Sequence, residues 1–103
     1  MALNRFVSGF DRFMTDKSLR KTVAGKRVAL LAHPASMSYA AKSPFGFEHS
    51  MDALLRLAKE TGEFRVTAAF GPQHGMRGEK QDNMQETEDY IDPIWKVPVF
   101  SLY

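Results

Sequence analysis

An unbroken apolar run, Val28-Ala29-Leu30-Leu31-Ala32, stops at His33-Pro34, and a second run, Phe64 to Phe70 (FRVTAAF), stops at Gly71-Pro72. Between them Met51, Leu54, Leu55 and Ala58 recur at i, i+3, i+4 and i+7, and Gly62 closes that helix at its C′ position. Strand, loop, helix, strand is a βαβ unit, which demands parallel pairing with a right-handed crossover. The first run does not alternate, so it reads as a strand buried on both faces. A third strand is expected at 97–103 (VPVFSLY), with Pro98 near its start, where a missing N–H is tolerable. Residues 35–48 (ASMSYAAKSPFGFE) and 71–96 read as polar loops. The fold class is therefore α/β, a parallel sheet of about three strands.

Ahead of this unit, Leu3, Phe6, Val7, Phe10, Phe13 and Met14 form one stripe of an N-terminal amphipathic helix, despite Gly9. Leu19 and Val23 suggest a further helical turn, closed by Gly25. Arg5, Asp11, Arg12, Asp16 and Lys17 interrupt any signal-peptide core, so a cytoplasmic location is expected. No segment approaches the ~20 apolar residues of a membrane span. The 103 residues contain no cysteine, which excludes disulfides, thiolate nucleophiles and thiolate metal sites. A net charge of +2 is too small to argue for nucleic acid. Residues 1–27 carry seven basic and two acidic side chains, and residues 79–92 carry six acidic and one basic. Both stretches read as solvated surface.

In open parallel sheets ligands bind beyond the carboxyl ends of the strands. Two segments follow such ends here, His33-Pro34-Ala35-Ser36 and Gly71-Pro72-Gln73-His74-Gly75-Met76-Arg77-Gly78. In the second, glycines let the backbone approach a ligand closely. The imidazole of His74 can exchange a proton near neutral pH, and the Arg77 guanidinium can grip an anion through two hydrogen bonds. Asp82 and Glu86 follow, carboxylates of the kind glycoside hydrolysis requires. The segment is neither a dinucleotide fingerprint nor a P-loop. His33, His49 and His74 match no metal-ligand spacing, so no metal and no cofactor are expected. His49, at a helix start, is expected to be exposed. Tyr90 and Trp95 could stack on a sugar or serve as core or lid.

The stretches GKRVALLAHPA at 25–35, AFGPQHGMRG at 69–78, EDYIDP at 88–93 and VPVFSLY at 97–103 together resemble the exo-β-N-acetylmuramidase (NamZ-type) family, long known as a bacterial domain of unknown function. The resemblance runs from about Gly9 to the last residue. It implies a Rossmann-like three-layer N-terminal subdomain facing a C-terminal one across an active-site cleft. It implies removal of terminal β-1,4-linked N-acetylmuramic acid from peptidoglycan fragments. Residues 1–103 would then be the incomplete N-terminal subdomain, with the C-terminal one absent and the fragment inactive alone.

Many members carry Glu where this chain has Gln73, whose amide cannot transfer the catalytic proton. The acid/base role then falls to Glu86, with His74 sharing or positioning the proton. Gln73, Asn83 and His33 are substrate-binding candidates, and Arg77 is the partner for an anionic group. The rival expectation is a non-catalytic binding or assembly module, a homo-oligomer pairing through the C-terminal strand.

Overall fold

The structure, a computed structural model, describes residues 6–39, 46–72 and 89–102. Two short helices come first, α1 (Gly9–Thr15) and α2 (Lys17–Arg20), followed by a 3-10 turn at Lys21–Val23. The Ser8 hydroxyl caps α1 by accepting from the Asp11 N–H, and Asp16 caps α2 through Ser18. Ser18, by its hydroxyl first and its N–H second, holds the Asp16 carboxyl below its ordinary range. The helix begins later than the stripe suggests. Phe6 and Val7 precede the cap and are 91% and 50% exposed, while residues 1–5 lie outside the described residues.

The chain continues through β1 (Arg27–Leu31), a two-residue antiparallel pair β2 (Met37–Ser38) and β3 (Glu48–His49), α3 (Ser50–Thr61) and β4 (Arg65–Gly71). It closes with β5 (Tyr90–Ile91) and β6 (Pro98–Ser101). The main sheet has the order β1-β4-β6-β5. β1, β4 and β6 are parallel, and β5 runs antiparallel to β6. This mostly parallel α/β sheet with its crossover helix is the expected Rossmann-like class. The stretches read as loops at 35–48 and 71–96 contain β2, the first residue of β3, and β5, strands of two residues each held by a partner strand rather than by their own pattern.

Met51 and Leu55 of α3 pack on Ala69, Val97 and Val99, with Leu30, Val66 and Trp95 at the margin. That helix covers one face of the sheet. On the opposite face Leu31, Phe70 and Phe100 stand in register across three strands, and the two phenyl rings sit 5.4 Å apart. Leu31 is 68% exposed, and β1 alternates between exposed and half-buried positions. The expectation of a strand buried on both faces is therefore corrected. The unbroken apolar run reflects residue type, while burial among the described residues follows α3, which covers one face of the sheet. The solvated reading of the basic start also fails at Arg20, which is buried.

Helix α3 ends as its sequence requires. Gly62 takes φ +67° and its N–H donates to the Ala58 carbonyl. A Cβ there would meet no atom within 4 Å, so only the left-handed backbone resists substitution. Gly62→Ala should therefore cost about 1 kcal/mol. A thermal melt should show Tm lower by about 4–8 °C; an unchanged Tm would contradict the left-handed cap.

Candidate active-site rim

The carboxyl end of β1 is built by short-range bonds. Ala32 N–H donates to the Phe70 carbonyl, carrying the pairing with β4 one residue past the strand. Pro34 then turns the chain. Ser36 N–H donates to the His33 carbonyl (2.9 Å), and the Ser36 hydroxyl accepts from the His33 N–H (3.0 Å). The His33 ring is exposed and its Nδ1 accepts from the Ala35 N–H at 3.0 Å. The neutral ring therefore carries its proton on Nε2.

His49 holds this turn from the other side. Its Nδ1 accepts from the Met51 N–H (3.0 Å), which caps α3. That leaves the proton on Nε2, which donates to the His33 carbonyl at 2.9 Å. Ser50 N–H donates to the Ser36 carbonyl as a second tie. His49 is half-buried, not exposed as its position at a helix start suggested, because one ring serves two backbone groups.

β4 ends beside β1 and points the same way, so Gly71-Pro72 leaves the sheet at the rim that carries His33. β6 ends there too. Ser101 pairs with Gly71 on one side, and on the other its N–H donates to Asp89 Oδ1 at 2.8 Å. The chain thus departs from this rim at Pro72 and returns to it at Asp89. The candidates Gln73, His74, Arg77, Asp82, Asn83 and Glu86 all fall on residues 73–88 and lie outside the described residues. Of the sequence-derived site residues, His33 is the one whose surroundings are described.

Trp95 and Tyr90 pack at the edge of the core, and Trp95 Nε1 donates to Asp52 Oδ1 at 2.8 Å. Of the roles open to Trp95, this favours the core. Asp92 is fully buried and accepts from the Ile94 and Trp95 N–H groups, building the turn that leads into β6. That pairing also bears on strand addition. β5 occupies the outer edge of β6 at Pro98 and Val99, so those positions offer a partner no free edge.

Two charged groups near the rim were not singled out from sequence. The Arg56 guanidinium pairs with Glu48 of β3, and the hydrogen bond it donates to the Glu48 carboxylate, before the charges of Glu48, Glu60 and Asp52, pushes the Arg56 pKa further up. Asp11, 7% exposed, reaches from α1 to accept from the Ser38 hydroxyl (2.7 Å) and the Tyr39 N–H (3.2 Å). Ser8-x-x-Asp11 carries the spacing of a helix-capping box, the one local sign of this residue. Its partners lie 27 and 28 positions away, which no local pattern reveals.

Residues 28–103 match the family described as exo-beta-N-acetylmuramidase NamZ, N-terminal. The chain is also similar to the peptidoglycan beta-N-acetylmuramidase NamZ of Bacillus subtilis (strain 168), 38% identical over 96 residues. That alignment covers 93% of this chain and 20% of the relative, so the chain spans about one fifth of the relative's length. No solved structure matches it. No helix among the described residues is long and apolar enough to cross a membrane.

Proposed function

We propose that this chain, which belongs to the exo-β-N-acetylmuramidase NamZ N-terminal family, forms one wall of a glycosidase cleft acting on peptidoglycan-derived saccharides. The observation that carries the reading is the shared rim. Parallel pairing of β1 with β4 brings the His33 turn and the exit at Gly71-Pro72 to one carboxyl edge, where such sheets place their ligands. The exit leads into the stretch richest in groups for this chemistry.

In the proposed reaction the Glu86 carboxylic acid gives its proton to the glycosidic oxygen as the C1–O bond breaks. Water adds at C1 and returns a proton to the protein. His74 shares or positions that proton, Gln73, Asn83 and His33 hydrogen-bond the sugar, and Arg77 holds the lactyl carboxylate. The opposing wall belongs to the remaining four fifths of a NamZ-like sequence. On its own this chain is therefore expected to bind saccharide without turnover.

The test is release of N-acetylmuramic acid from a β-1,4 muramyl disaccharide by a longer family protein carrying this sequence. Glu86→Gln should lower turnover by about 10²–10⁴-fold. Turnover unchanged in that variant would remove Glu86 from the mechanism. No release by the unaltered protein would remove the reaction.

A further inference from the structure

A cavity of about 400 Å³ opens between α1 and the segment that follows the His33 turn, lined by Phe6, Ser8, Asp11, Met37 and Tyr39. We propose that it is a subsite for a neutral N-acetylhexosamine ring. The proposal rests on the saccharide reading above and adds to it a location and a charge preference. Its place fits, because Met37 to Tyr39 follow the His33–Ser36 turn that leaves the carboxyl end of β1. Its size falls within the range of small-molecule sites, about 300–1,000 Å³.

The lining has the two surfaces a sugar needs. Phe6 and Tyr39 are 91% and 65% exposed, and Phe47 lies against Tyr39 with ring centroids 6.3 Å apart. Exposed aromatic faces gathered at one opening are what the C–H face of a pyranose stacks on. The polar groups are fixed in place. The Asp11 carboxylate is oriented by Ser38 and Tyr39, and its four lone-pair positions are not exhausted by those donors. The Ser8 hydroxyl accepts from the Asp11 N–H at 3.1 Å and so keeps its own proton to donate. Sugar hydroxyl and acetamide groups supply the matching donors and acceptors.

The buried carboxylate also selects. An anionic sugar brought beside Asp11 adds a second negative charge where solvent screening is weak, so N-acetylmuramic acid is disfavoured against N-acetylglucosamine. A β-1,4 substrate containing both then has a direction, its neutral ring in this cavity.

Titration of the ¹⁵N-labelled chain with each monosaccharide tests this. N-acetylglucosamine should shift the Met37, Ser38 and Tyr39 amides saturably, and N-acetylmuramic acid should do so about tenfold more weakly. Tyr39→Ala should weaken the first by about tenfold, about 1.4 kcal/mol, with the remaining spectrum unchanged. Asp11→Asn, which keeps an acceptor for Ser38 and Tyr39, should narrow the gap between the two sugars. If N-acetylmuramic acid moves the amides of 33–36 and 71 while N-acetylglucosamine leaves 37–39 unmoved, the subsite is wrong and the rim reading stands. If neither sugar moves any amide, both fall. Equal affinity of the two sugars for wild type at 37–39 overturns the charge preference.

Discussion

Replacing Met51 by alanine should remove about 2–5 kcal/mol of stability. Met51 is wholly inaccessible and sits where α3 meets Ala69 of β4, Val97, and Val99 of β6. The truncation takes the thioether stem out of a cluster that, among the described residues, is covered by α3 alone. A chain of this length has about 5–15 kcal/mol in total, so the loss is a large share of it. Urea unfolding should show a lower midpoint with the slope retained. Met51→Leu, close in volume, should cost less than about 1.5 kcal/mol. A loss below about 1 kcal/mol for the alanine variant would mean that α3 does not seat on the sheet as described.

Arg20→Ala should cost about 3 kcal/mol. The Arg20 side chain is 9% exposed and serves three elements. Its Nη1 donates to the Phe13 and Met14 carbonyls, both 2.9 Å, among the last carbonyls of α1, which lack helical partners. Its Nε and Nη2 donate to the Glu63 carboxylate at the turn between α3 and β4. Alanine leaves two carbonyls and a carboxylate without their donor. Lysine should not restore stability, because a point charge cannot reach both carbonyls and the carboxylate in fixed directions. A double-mutant cycle with Glu63→Gln separates the ion pair from the carbonyl bonds. Full rescue by lysine would show that charge alone acts here.

The sequence made some features legible and hid others for physical reasons. α3 was readable because both of its signals are local, the apolar spacing from Met51 to Ala58 and a glycine free to adopt positive φ at 62. The rim was readable because Pro34 and Pro72 each end a strand. The burial of β1 was not, since whether Ala29 and Leu31 are covered depends on how many helices lie over them. β5 was hidden because Tyr90 and Ile91 are strand only by pairing with β6 behind the Asp92 turn. Arg20 and Asp11 looked like surface charges, and their partners are 43 and 27 positions away. At the site, the His33 turn was anticipated and the two-sided grip of His49 on it was not.

The two posts on either side of Ser101 have a consequence for how such a rim can change over time. Gly71 and Asp89 are pinned to the same residue of β6, so the sheet itself holds the two ends of the intervening stretch together. For a span closed in this way, even doubling its length adds only about 0.6 kcal/mol to the entropic cost. Insertions and exchanges between the posts are therefore nearly free for the scaffold. Selection can rewrite what this edge recognises while the packing of α3 on β4 and β6 stays as it is.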